Sequence, residues 1–238
     1  KRENHLKQTI NFSPKEHIQF PDNSWSIFEV EKELPFKFQD SNKTEKEFYQ
    51  IKIAVEDNFE KSSPYLYSFF PTKIKLNQPY VLHATFDLDA TRNQINESDK
   101  NKFILEKVVE FTIEVAKYYS KKQVSYQPLL ILNHSHKADT LDNLEYYDLV
   151  DEAIRSESVF PCIDNTYKSL EEVIYINDEF AGFLQDTNSD DIISIHLLPL
   201  KDLSLENFDL EYKIDDSIEV LQDYLELLNQ ISKKDLTM

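Results

Sequence analysis

Hydrophobic and polar positions alternate with a period of two in three stretches of the first half of the chain. Trp25–Phe38 reads WSIFEVEKELPFKF and meets Pro35, the pattern of an edge strand or of a strand followed by a turn. Tyr49–Glu56, YQIKIAVE, puts Ile51, Ile53 and Val55 on one face and predicts a half-buried strand. Pro79–Leu88, PYVLHATFDL, predicts another, with Leu82, Ala84, Phe86 and Leu88 aligned. The period then changes to that of a helix. After ATRNQINESD, the run KNKFILEKVVEFTIEVAKYYSKK carries Ile104, Val108, Phe111, Val115 and Tyr118 at spacings of four, three, four and three. Ser98 or Asp99 can cap it, and Lys121 and Lys122 suit its C-terminal dipole.

Elsewhere the pattern is less regular. Residues 1–24, with Pro14 and Pro21, read as an irregular lead-in with a short helical piece. The aromatic run Tyr65–Thr72, YLYSFFPT, is expected to serve core packing. In the second half, Leu129–Leu132 reads as a buried strand, Asp139–Glu152 as helical, Glu172–Ile176 as strand-like and Ile192–Leu198 as a further apolar run. A terminal helix places Ile218, Leu221, Tyr224, Leu225 and Leu228 on one face. The expectation is a mixed α/β (α+β) chain: a lead-in over 1–24, a βαβ core over 25–122, and a smaller α/β unit with a C-terminal helix over 123–238.

Composition narrows the function classes. Sixteen Phe and thirteen Tyr spread along 238 residues supply core material for both halves. With 44 Asp and Glu against 26 Lys and Arg, the net charge of −18 repels phosphate backbones, so direct nucleic-acid binding is not expected. Solubility is the plain reading of that charge, and an acidic surface that imitates nucleic acid is the sharper one. One cysteine, Cys162, allows no internal disulfide and fits a reducing compartment. No run of 18 apolar residues exists and the N-terminus reads as no signal peptide, which predicts a cytoplasmic protein without a membrane partner. The absence of an initial Met, with the only Met at position 238, suggests a stretch cut from a longer polypeptide.

The single glycine, Gly182, stands where average usage would give about 17. Phosphate-cradling loops need glycine to turn tightly and approach the anion, so no P-loop or GxGxxG fingerprint can be written, and no cofactor is expected to bind this stretch by itself. His134-x-His136 follows an apolar run and could approach a metal, but without further ligands an ordinary loop is expected. Asp87 and Asp89 could act as paired carboxylates if their strand persisted. Arg92 is one of only three arginines and lies between the last strand and the long helix. Its guanidinium could make a bidentate contact with phosphate or carboxylate, or an ion pair with a neighbouring acid, and local sequence leaves both open.

The stretch YLYSFFPTKIKLNQPYVLHATFDLDATRNQINESDKNKFILEKVVEFTIEVAKYY, residues 65–119, resembles the region that follows the nucleotide lobe in Hsp90-like ATPases of the sacsin type, where FFPT precedes a strand like HATFDL and then an R-x-x-I turn. It is similar, more distantly, to the Hsp90 middle domain. Val159–Tyr167, VFPCIDNTY, looks like a downstream segment of these proteins, with Asn165 where the pattern has Gly; Thr91 stands before the arginine where it has Ser. The resemblance implies a middle, or transducer, region with an Hsp90-middle-like core. Arg92 would reach the ATP γ-phosphate and Asn96, one helical turn later, would assist. ATP and Mg would be held by an N-terminal nucleotide-binding lobe of the same or a partner chain, and nucleotide state would be relayed to a client or effector, in a microbial setting a defence system. The rival expectation is an acidic protein-interaction module, possibly a nucleic-acid mimic, with no ATPase role.

Overall fold

The computed structural model describes residues 12–42, 44–57, 63–122, 127–132, 137–162, 166–175 and 196–198. Its first half is a six-stranded mixed sheet of β1 (Glu16–Gln19), β2 (Ser24–Glu33), β3 (Phe48–Glu56), β4 (Ser63–Ser68), β5 (Phe70–Gln78) and β6 (Tyr80–Ala84), in the order β1-β2-β3-β6-β4-β5. Alternation sets its sidedness. Ile51, Ile53 and Val55 of β3 are fully buried, next to Phe28 of β2 and to Tyr80, Leu82 and Ala84 of β6. The opposite face carries a polar ladder, where Lys15 (2.6 Å) and Lys52 (3.6 Å) pair with Glu29 and Gln50 Nε2 donates to it at 2.9 Å.

β1 is a strand inside the stretch expected to be an irregular lead-in; it pairs antiparallel with β2 and places Ile18 opposite Trp25. The aromatic run also departs from expectation. Leu66 and Ser68 point into the core, but Phe69 (73% exposed) and Phe70 (66% exposed) form the tip of the β4–β5 hairpin, and Phe69 turns the corner at φ 60°. A two-fold pattern broken by such a corner sends consecutive aromatic rings outward.

Helix α1 (Asp99–Lys122) lies on the buried face of the sheet and is itself covered on a second side by α2 (Gln127–Leu132) and α4 (Tyr146–Ser156), with α3 (Asp139–Asn143) packed against α4. The expected stripe is buried at Ile104, Val108, Phe111 and Val115, and Leu105, Val109, Ile113 and Ala116 join it. A surface that wide cannot be covered by one sheet. The chain therefore continues from α1 into helices, and no βαβ crossover forms over 25–122 among the described residues; the parallel pair of the six-stranded sheet, β4 with β6, is reached through β5. Leu129–Leu132 belongs to helix α2, not to a strand: Pro128 is tolerated in a first turn, and four apolar residues do not fix a period.

The core continues without interruption past residue 122. Ile131, Leu141, Tyr146, Val150, Phe160 and Leu170 belong to the same apolar cluster as β3 and α1. Short pairs follow, β7 (Phe160–Pro161) with β8 (Tyr167–Lys168), antiparallel, and β9 (Val173–Tyr175) with β10 (His196–Leu198), parallel. The predicted helix at 218–228 lies outside the described residues. No helix among the described residues is long and apolar enough to cross a membrane.

Phe28, 1% exposed, holds the aromatic part of this core. Its ring stacks on Phe12 at 5.5 Å and meets Tyr118 and Tyr119 edge-on at 5.2 and 6.0 Å. Phe28→Ala is expected to cost about 3–5 kcal/mol in urea denaturation. Phe70→Ser, at the exposed hairpin tip, should stay within about 0.5 kcal/mol of wild type. Equal losses would contradict the assignment of the two rings to inside and outside.

Candidate functional site

The segment from the end of β6 to the start of α1 holds the residues that sequence singled out. β6 stops because the backbone turns inward: Thr85 N donates to Gln50 O at 3.1 Å, and the buried Ser68 hydroxyl meets Phe86. The chain then makes a small antiparallel loop, with a bridge between Leu88 and Ile95, Asp89 N donating to Gln94 O (2.9 Å) and Asn96 N to Asp87 O (2.9 Å). At its tip a turn closes where Arg92 N donates to Asp89 O at 3.0 Å.

Asp89 organises the tip. Oδ1 accepts from the backbone N–H groups of Asn93 (2.9 Å) and Gln94 (3.2 Å), and Oδ2 accepts from the Thr91 hydroxyl (2.6 Å). The Thr91 hydroxyl, against some desolvation and helped by the backbone N–H groups of Gln94, Asn93 and Thr91, holds the Asp89 carboxyl below its ordinary value. Asp87 is engaged separately, by Lys100 at 2.9 Å. Because β6 ends at Ala84, the two carboxylates do not act as a pair.

The base of the loop is fixed by a residue that sequence reading missed. Asn101, in the first turn of α1, is fully buried. Its Oδ1 accepts from Asp87 N (2.9 Å), and its Nδ2 donates to Asp87 O and Asn96 O, both at 2.8 Å. Asn101 sits three and four residues before Ile104 and Leu105, so it continues the buried face of the helix with a polar side chain, and that was the available signal. Ser98 caps the helix beside it, accepting from Asn101 N at 3.2 Å. Outside ties complete the frame: Lys73 N of β5 donates to Asn93 O (2.8 Å), Thr140 Oγ1 bonds Gln94 Oε1 (3.2 Å) and Asn143 Nδ2 bonds Glu97 Oε1 (2.7 Å).

Arg92 stands at the tip of this frame in the left-handed region, φ 59°. It is exposed, and its guanidinium has no hydrogen bond or ion pair among the described residues. The local alternative, an ion pair to a neighbouring acid, is therefore not taken up, since Asp87 and Asp89 are already engaged. Asn96 lies in the loop, three residues ahead of α1, and its Nδ2 donates to Leu88 O at 3.1 Å. His134 and His136 lie outside the described residues, and among those described no group of three or more His, Cys, Asp or Glu could hold a metal ion.

Comparison with protein-family models, with curated proteins and with solved structures finds no match to this chain.

The loop makes two predictions. Asn101→Ala leaves Asp87 N–H and two carbonyls without their buried partner and is expected to cost about 2–4 kcal/mol in denaturant unfolding. A loss below about 0.5 kcal/mol would mean the loop does not hang on Asn101. For Asp89, a folded pKa below the unfolded one gives a contribution present above the ordinary Asp range and lost as pH falls through the folded value. Hydrogen-exchange protection at Asn93 and Gln94 should fall selectively as pH drops below that range, and Asp89→Ala should lose it already at neutral pH. Unchanged protection in that variant would remove Asp89 from its role.

Proposed function

We propose that this chain is the middle, or transducer, part of an Hsp90-like ATPase, in which Arg92 meets the terminal phosphate of ATP held by a separate nucleotide lobe. The observation that carries the reading is the state of Arg92. An exposed guanidinium without a partner among the described residues is mounted on a loop whose backbone is fixed from three sides, by Asp89, by Asn101 and by β5. A cation held in that way is pre-positioned for an anion that arrives with another body, and it spends no ion pair on leaving its resting place. The nearby acids are occupied and do not pair with the guanidinium, Asp87 by Lys100 and Asp89 by N–H and O–H donors.

In this reading ATP and Mg belong to the other lobe, and this chain contributes charge and a rigid mount. Closure of the lobes would bring the guanidinium to the developing negative charge, so hydrolysis and the relative position of the two bodies would depend on each other. Asn96, tied to Leu88 O, would position the loop and leave the phosphate contact to Arg92. A client or effector would read the closed state through the rest of the chain.

The test is ATP turnover by the assembly that contains the nucleotide lobe, comparing wild type with Arg92→Ala, Arg92→Lys and Arg92→Gly. Turnover is expected to fall by about a hundredfold or more in all three, with nucleotide binding retained. Arg92→Gly relieves the left-handed backbone and should keep or raise thermal stability, which separates loss of charge from loss of fold. Turnover at the wild-type level in Arg92→Ala would end this role.

A further inference from the structure

A groove runs between α1 and α4 on the side of α1 away from the sheet. It encloses a cavity of about 560 Å³. Its floor is apolar, made by Val109 and Ile113 of α1 and by Leu149 and Ala153 of α4. Its lining is acidic on both sides, with Glu106 on α1 and Glu152 on α4. Neither of these two carboxylates has an ion pair among the described residues. Further along, Glu110 is paired with Lys107, and Lys117 serves both Glu114 and Glu157. Five acids against two lysines leave the rim negative.

We propose that this groove docks a basic amphipathic helix of a partner protein. The floor residues recur on each helix at spacings of four, so the apolar strip extends along the helix axes as a helix-in-groove site requires. The lining of α1 from Glu106 to Glu114 runs about 12 Å along the helix, room for two turns of a docked helix, with Val109 and Ile113 at its centre. Carboxylates on both rims that are unpaired among the described residues select lysine or arginine on the flanks of that helix and reject acidic ones.

Charge decides between occupants. The apolar stripe at Ile218–Leu228 of this chain is interleaved with Asp216, Glu219, Asp223 and Glu226, which would place like charges against the rims. A second copy of a chain with net charge −18 meets the same repulsion, and so does nucleic acid. A basic partner gains from both walls. The inference concerns the α1–α4 face alone and stands whether or not Arg92 meets a phosphate.

The experiment is fluorescence anisotropy with the full chain and a labelled helical peptide of about four turns, leucine at i, i+3, i+4 and i+7 and lysine on the flanks. Binding is expected to weaken by about tenfold or more when the same residues are scrambled and to vanish when the lysines become glutamates. It should weaken by a similar factor in Glu106→Lys with Glu152→Lys, and in Ala153→Arg, which fills the floor. The peptide series is read on the wild-type chain, so it decides even if a variant does not fold. Equal binding of the scrambled peptide would mean charge attraction only and would overturn the proposal. So would an absence of binding, or insensitivity to both variants. A wild-type dimer in sedimentation that Ala153→Arg dissolves would put a second copy in the groove and overturn it as well.

Discussion

Helix α1 has to bury two sides at once, and the arrangement of the rest follows from that. One side is matched by the alternating face of β2, β3 and β6, the other by α2 and α4. A helix with a single apolar stripe could rest on a sheet with its back in water. Here Val109, Ile113 and Ala116 lie outside the stripe and still need cover, which the described helices after residue 122 supply. Ion pairs at the margin, Lys102 with Glu145 and Lys117 with Glu157, fasten α1 to the helical layer where the apolar contact ends. Being partly exposed, they orient the layer more than they stabilise it.

The same helix sets the loop that precedes it. A buried first turn normally leaves backbone N–H groups to be satisfied by caps. Ser98 does this for Asn101, and Asn101 in turn spends its amide on the backbone of Asp87 and Asn96. Packing energy collected along α1 thus reaches the loop through one polar side chain that cannot move without stranding buried donors and acceptors. A loop of fourteen or so residues would ordinarily sample many conformations. This one is held at its base by Asn101, at its tip by Asp89 and at its flanks by β5 and α3.

Much of the sheet and α1 was legible in the sequence because period two and period three-to-four repeat over enough residues to be distinguished. β3 and α1 are the clearest cases, and their buried faces are the aligned residues. Short elements carry no such repeat. Leu129–Leu132 could be read as strand or helix, and β1 contains only four residues, so tertiary pairing with β2 decides its state. The site was legible in part. Arg92 stood out by residue type and position, but Asn101 looked like one polar residue among many at a helix start, and its three hydrogen bonds depend on where Asp87 and Asn96 arrive in space. The hairpin tip was hidden for another reason, since turn signals rest on glycine and asparagine.

That last point bears on how Arg92 should be weighed. Among the described residues three other than glycine take positive φ, Phe69, Arg92 and Glu145, each at a cost of about 1 kcal/mol. In a chain with a single glycine, left-handed corners fall to whatever residue stands there, so strain by itself does not single out a functional position. The side chains differ in what they do once placed. Glu145 pairs with Lys102 and begins α4, and the Phe69 ring lies edge-on to His83 at 5.3 Å. Both repay their corner with a contact inside the fold. Arg92 has no such return among the described residues, although the chain carries 44 acidic side chains and three of them, Asp87, Asp89 and Glu97, lie within five positions of it. Asp87 is held by Lys100, Asp89 by the loop's own donors and Glu97 by the Asn143 amide, which keeps the guanidinium from collapsing onto its own loop. A fold that fixes the backbone under a cation and occupies the nearest anions elsewhere leaves that charge available to something outside the chain. That combination, and not the backbone angle, is what supports the role proposed for Arg92.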